Sequence, residues 1–284
     1  MHTSAIKTSQ WESRAPSAGY SYPGCLQRNQ LLAALPGPEW ERLLPHLEPV
    51  ELPLGKVLHE AGDGLAHVYF PTTAIVSLMI VLSDGRSTEF AVVGSEGMVG
   101  YSLFLGATST QSRAVVQAAG RGYRLKAKLM TLQLQQPGAL MHLVLRYTHA
   151  LMTQVAQKEM CNRHHSLDQQ LCQWLLLRLD RLHSNELTVT QEGIASMLGV
   201  RREGVTEAAG HLQQAGFIRY QRGHITVLDR TGLERRTCEC YALIRREYDR
   251  LIPPFTALKC ECRTGQHPDR RSRQQQVPQL HLAR

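Results

Sequence analysis

The sequence predicts an α+β protein in three parts: a strand-rich N-terminal module, a long helix, and a C-terminal helix pair followed by a hairpin. Three observations carry this. Between Pro49 and Arg124, short β-type runs alternate with glycines. After Pro137, apolar residues recur at helical spacing over several turns. Further on, "QEGIASMLGVRREGVTEAAGHLQQAGFIRYQRGHITVLD" joins two amphipathic runs through Gly199-Val200 and ends in two short strand-like runs.

The bulk numbers set bounds. A chain of 284 residues suits roughly two domains. Hydrophobic residues make up 43%, ordinary for a globular protein. No stretch reaches the ~18 consecutive apolar residues of a membrane span. The first residues lack the apolar core of a secretion signal. The expectation is a cytoplasmic protein, with no membrane partner, that begins with a disordered leader over 1–24. A net charge of +8 is compatible with a nucleic-acid partner. Seven cysteines, an odd count without an export signal, read as free thiols or ligands rather than a disulfide framework.

In the N-terminal module the strand candidates are "KVLHEA", "HVYFP", "AIVSLMIVL", "STEFAVVG", "SRAVVQA" and "GYRLK". Many short strands with glycine turns indicate a sandwich or barrel. Asp84-Gly85 is a hairpin turn, because glycine accepts positive φ without a steric penalty. Ahead of these strands, Leu31, Leu32, Leu35, Trp40, Leu43, Leu44 and Leu47 lie on short helical pieces broken by prolines.

The long helix starts at Pro137-Gly138. Leu140, Val144, Tyr147, Leu151 and Val155 fall on one stripe of it. That stripe either packs on its own domain or forms the seam of a parallel dimer. The pattern breaks at "CNRHHS", where His164 and His165 beside Cys161 read as a solvated hinge. Ser166 then caps a strongly apolar helix, "LDQQLCQWLLLRLDRL".

Thr190 is a natural N-cap for "QEGIASML", and Gly199 supplies the left-handed residue that ends it. The second helix, Arg201 to Ala215, buries Val205, Ala208, Ala209 and Leu212. Two helices joined by a short glycine turn make a helix-turn-helix. The strands around Arg222-Gly223 form a wing carrying Arg219, Arg222 and His224. A last helix, with Tyr241, Ile244, Tyr248 and Leu251 on one face, is expected to pack back on this domain. Cys238, Cys240, Cys260 and Cys262 form two C-x-C pairs, which leaves metal binding and redox sensing open. Neither pair meets the usual C-x2-4-C zinc spacing, so no metal or cofactor is expected. The polar, basic end over 263–284 reads as disordered.

The helical lead-in, glycine-punctuated roll, long helix and winged helix together resemble the Crp/Fnr family of transcription regulators. The resemblance is closest over Leu187 to Asp229. It implies a cyclic-nucleotide-binding-like sensor domain of double-stranded β-helix or jelly-roll type over 25–136. A dimerisation helix over 137–160 would follow, seamed by Leu140, Val144, Tyr147, Leu151 and Val155. The winged helix-turn-helix would span 161–235 and a helical extension 236–262.

The implied function is sequence-specific binding of double-stranded DNA by a homodimer at a pseudo-palindromic promoter site, with RNA polymerase as a candidate partner. In that family an Arg-Glu pair near the start of the recognition helix reads base edges, and Arg202-Glu203 stands there. Arginine pairs bidentately with guanine, and glutamate accepts from cytosine N4. Glu207 occupies a position where a second arginine is often found. The implied DNA-contacting set is Thr190, Gln191, Arg201, Arg202, Glu203, Thr206, Glu207, Arg219, Arg222 and His224.

The ligand motif is not preserved. Gly100 is followed by Tyr101 instead of glutamate, and Ser112-Arg113 reverses the phosphate-holding pair. These four residues mark the candidate ligand position, cyclic AMP is not expected there, and the effector stays unassigned. The competing function is a ligand-binding module whose winged helix contacts protein. An enzyme is not expected, since no G-x-S-x-G, P-loop or H-E-x-x-H is present.

Overall fold

A computed structural model describes residues 28–107, 109–135, 138–182 and 184–252. The expected leader, Cys25, Cys260, Cys262 and the basic tail lie outside the described residues.

The N-terminal module is all antiparallel. Its strands are β1 (Glu48–Leu52), β2 (Val57–His59), β3 (His67–Pro71), β4 (Ile75–Val81), β5 (Ser87–Val93), β6 (Arg113–Ala118) and β7 (Gly120–Lys126). They form one sheet in the order β1-β7-β3 and a second in the order β2-β6-β4-β5. Leu52, Val68 and Phe70 of the first sheet share a core with Val76, Leu78, Val93 and Val116 of the second. This is the expected roll. Asp84-Gly85 does turn β4 into β5, with Gly85 at φ 84° and Val81 opposite Ser87. Strand β1 is an addition, because "EPVEL" reads as part of the helical lead-in. Its proline and glutamates are tolerated because β1 is an edge strand.

Two short helices precede the roll, α1 (Gln30–Ala33) and α2 (Gly37–Leu43). Asn29 caps α1 by accepting from Leu32 N at 3.2 Å. Its buried amide also donates to Pro71 O and Gly97 O, which fastens the lead-in to the roll. A short helix that the sequence pattern did not indicate, α3 (Ala127–Leu134), follows β7.

The long helix α4 (Ala139–His164) corrects an expectation. Val144, Tyr147 and Leu151 are at most 2% exposed, Leu140 is buried, and Val155 is half-buried. The expected seam therefore faces the protein's own roll. Tyr147 lies against Gly97, where an added Cβ would sit 2.3 Å from the ring, and its hydroxyl donates to Met98 O at 2.9 Å. The stripe left outside holds Leu145, Met152 and Met160, exposed by 48%, 65% and 51%. The sequence showed one apolar stripe clearly, and an intramolecular sheet claimed it. The N-terminus of α4 has no cap of its own. Glu39 of α2 supplies it, accepting from Ala139 N and Leu140 N at 2.7 Å each.

The C-terminal part comprises α5 (Leu167–Leu179), β8 (Glu186–Thr188), α6 (Gln191–Leu198), α7 (Arg202–Gln214), β9 (Ile218–Gln221), β10 (His224–Val227), α8 (Arg230–Arg236) and α9 (Glu239–Leu251). Ser166 caps α5 as expected, in a full capping box with Gln169. The predicted face of α9 is buried, but it packs mainly on α4 and only secondarily on α5.

The end of α5 and the turn after it carry the join between the two halves. Arg178 donates to Glu89 of β5 at 2.5 Å and lies 3.7 Å above the Trp174 ring. Arg181 donates to Glu96 at 2.7 Å and to Gln154 of α4 at 3.1 Å. All four charged side chains are buried. Desolvation pulls the Arg178 guanidinium below its ordinary pKa, against the attraction of Glu89. At Arg181 desolvation pulls the same way, but the opposing pull of Glu96 and its neighbours leaves the net shift upward.

Removing one partner of such a pair strands the other charge. Arg181→Ala is expected to lower stability by about 3–5 kcal/mol, measured by urea unfolding. A loss near that of an exposed pair would show that water reaches Glu96.

Candidate nucleic-acid interface

The helix-turn-helix is built from local signals. Thr190 Oγ1 accepts from Gly193 N at 3.0 Å and starts α6. Gly199 ends it at φ 71°, in the left-handed region where a side chain would be strained. Val200 then turns the chain, with its N–H donating to Ala195 O at 3.0 Å. Arg201 is the extended residue before α7. Ile194, Met197 and Leu198 pack in one core with Val205, Ala208 and Leu212. Helix α7 also lies close on α5, where a Cβ on Gly204 would meet Leu167 Cδ2 at 2.9 Å.

With its inner face spent on that core, α7 presents Arg201, Arg202, Glu203, Thr206 and Glu207 to solvent. Thr206 donates to Gln191 Oε1 at 2.9 Å, linking the exposed faces of α6 and α7.

The wing is a two-residue hairpin in which Gln221 faces His224. Arg222 and Gly223 both have positive φ, 48° and 80°, the geometry of a type I′ turn. Among the described residues Arg222 is the only non-glycine with positive φ. Tyr220 anchors the hairpin through its hydroxyl to Val189 O at 2.9 Å, and Tyr220 N donates to Gln213.

The three pieces meet at an open groove lined by Thr190, Gln191, Glu192, Arg202, Tyr220, Arg222 and Gly223. Four of the expected DNA-contacting residues are thus brought together. Arg201, Glu203, Thr206 and Glu207 continue the exposed face of α7. Strand alternation puts Arg219 on the side of β9 opposite Tyr220. His224 is exposed and contacts Thr188 Oγ1 through Nδ1 at 3.3 Å. Glu192 and Tyr220 were missed. The even spacing of Tyr220 and Arg222 along the hairpin was the available signal for Tyr220. Among the described residues no carboxylate lies within ion-pair distance of Arg201, Arg202, Arg219 or Arg222. Elsewhere arginines are consumed by carboxylates, as at Arg178, Arg181, Arg230 and Arg236.

The candidate ligand position in the roll differs. Gly100 is left-handed at φ 99° and packed against Val68, and burial raises the Tyr101 phenol pKa. Ser112 is buried and bonds to Thr110 at 2.9 Å. Arg113 is already paired with Glu60 at 3.1 Å.

Comparison with known proteins agrees with this architecture. Residues 169–236 match the Crp-like helix-turn-helix domain. No curated protein matches the chain in sequence. Among solved structures, a regulator assigned to the Crp/Fnr family from Eubacterium rectale superposes with a TM-score of 0.58 at 19% identity, over 76% of this chain and 97% of its own. FixK2 from Bradyrhizobium japonicum gives 0.57 at 16%, over 68% and 98%. A CRP-family transcriptional regulator from Thermus thermophilus gives 0.56 at 20%, over 66% and 95%. The chain therefore carries a Crp-like helix-turn-helix within the fold of Crp/Fnr-type regulators. No helix among the described residues is long and apolar enough to cross a membrane.

Thr190 satisfies an otherwise orphaned amide at the edge of this groove. Thr190→Ala is expected to lower stability by about 1 kcal/mol, read from chemical unfolding, and Thr190→Ser to restore most of it.

Proposed function

We propose that the protein is a DNA-binding transcription regulator whose α7 enters the major groove while the wing meets the phosphate backbone. The observation that carries this is the exposed groove joining Arg202 on α7 to Arg222 on the wing, with neither arginine ion-paired to a carboxylate among the described residues. Exposed guanidinium groups on a helix and on the wing beside it suit phosphate and guanine, which present acceptors in matching geometry. Thr190 and Gln191, at the N-terminus of α6, add donors where a phosphate is favoured. Phosphate contacts of this kind make binding fall steeply with salt.

The protein acts as a homodimer, with its two recognition helices entering successive major grooves about 34 Å apart over a pseudo-palindromic site. The dimer face is the outer stripe of α4, Leu145, Met152, Ala156 and Met160, because the inner stripe is spent on the roll. The roll is the sensor, and its β5 abuts α6 directly, where Ser87 meets Ser196 at 3.1 Å and Thr88 faces Gly199. Arg113 is paired with Glu60 at 3.1 Å, so a nucleotide phosphate there would compete with a carboxylate. Cyclic AMP is therefore not part of this reading.

Arg202→Ala is expected to relax specificity at one base pair of each half-site by about 1–3 kcal/mol, measured by binding to a panel of single-base operator variants. Absence of binding to any fragment of the source genome at low salt would favour a protein-contact role for the winged helix. Met152→Glu is expected to shift the protein from dimer to monomer in analytical ultracentrifugation while it stays folded. A dimer unaffected by that charge would place the interface elsewhere.

A further inference from the structure

Far from the groove, the end of α4 meets the start of α9 in a cluster with an unusual composition. Cys161 lies in the last turn of α4, and His165 caps that helix. Cys238 is the N-cap of α9, and Cys240 is in its first turn. The three cysteines are buried in a small group of their own, separate from the main apolar core. Cys161 Sγ lies 3.5 Å from Cys238 Sγ, and Cys240 Sγ lies 3.7 Å from His165 Nδ1. All four donor atoms fall within 4.8 Å of one another.

Three thiols and an imidazole make a poor hydrophobic core, since none fills volume as an aliphatic side chain does. They make a good ligand set. A disulfide requires its sulfurs about 2.05 Å apart, and these thiols are free. A tetrahedral ion with bonds of about 2.3 Å to sulfur and 2.0 Å to nitrogen holds its donors about 3.5–3.8 Å apart. The Cys161–Cys238 and Cys240–His165 separations are of that size. The outer surroundings fit as well. His165 presents its other nitrogen, Nε2, to Glu239 Oε2 at 3.4 Å, the carboxylate–histidine contact that orients an imidazole ligand and fixes its tautomer.

We propose that Cys161, His165, Cys238 and Cys240 form a structural zinc site of three thiolates and one imidazole. Soft thiolates with one imidazole select zinc over harder cations. The donors close around a single ion, whereas the cysteines of an iron–sulfur cluster bind separate irons and stand further apart. Occupied, the site pins the break between α4 and α5 to the segment that leaves the winged helix. It fixes the angle between the long helix and the DNA-binding domain. Cys260 and Cys262 are not needed, because the second pair of ligands comes from the end of α4.

The test uses the untagged full-length protein, purified under reducing conditions without chelator. Elemental analysis is expected to find one zinc per chain. Cobalt(II) in its place is expected to give the visible spectrum of a tetrahedral thiolate site, a readout of the unaltered chain that does not depend on any variant folding. Cys161→Ser and Cys238→Ser lose the metal, while Cys260→Ser and Cys262→Ser keep it. Glu239→Gln, at an exposed side chain, weakens zinc binding by about 10-fold. Four results would overturn the site: no zinc bound after loading the reduced protein; zinc retained in Cys161→Ser and Cys238→Ser; iron with inorganic sulfide in place of zinc; or a Cys161–Cys238 disulfide that persists under reducing conditions.

Discussion

Arg178 in the last turn of α5 and Arg181 in the turn just after it are each committed to a buried carboxylate of the roll. Taking four charges out of water is costly, and the cost is recovered only where every lone pair and proton finds a partner. Partners are close at hand. Glu89 also accepts from Ser77, Glu96 accepts twice from Gly94 N, and Arg181 donates a third bond to Leu177 O at 2.6 Å. A docking shifted by an ångström or two would strand charges in a dry interface. The ion pairs are thus less a source of net stability than a selection of one arrangement. With α5 held, α6 falls against β5, α7 packs on α5, and the arginines of α7 and the wing are left in solvent.

Helix α4 shows how one element serves two surfaces. Its inner stripe fills the space above the second sheet, and the fit is close enough that Gly97 cannot carry a side chain beneath Tyr147. Its first turn is capped by Glu39 from α2, so its start is fixed by the lead-in rather than by its own sequence. Its last turn ends in the thiol–imidazole cluster shared with α9. The backbone of α4 is thus held at both ends and along one side, while its outer stripe of Leu145, Met152, Ala156 and Met160 faces solvent.

The charge distribution follows the same division of labour. The buried arginines at the end of α5 and in the turn after it, Arg178 and Arg181, are each matched with a carboxylate. Among the described residues, those on the face of α7 and the wing are not. The contrast separates cations spent on the fold from cations left in solvent without reference to net charge, which at +8 is only a weak guide.

Much of the winged helix was legible because its signals are local. A threonine N-cap, a left-handed glycine and a two-residue turn act within four residues of themselves, so Thr190, Gly199 and Arg222-Gly223 could be read directly. The roll was legible from alternation and glycine turns, except β1, whose pairing with β7 spans the whole module. Which face of α4 is buried, what caps it, and which carboxylates receive Arg178 and Arg181 were not legible. Neither was the meeting of Cys161 and His165 with Cys238 and Cys240. Periodicity identifies a stripe but not its partner, and ligand spacing is visible only when the ligands are close in sequence. Local patterns were therefore enough to specify most of the elements, their order and the helix-turn-helix. The buried faces, the ion pairs and the thiol cluster were settled in the folded chain, because each depends on contacts between segments far apart in the sequence.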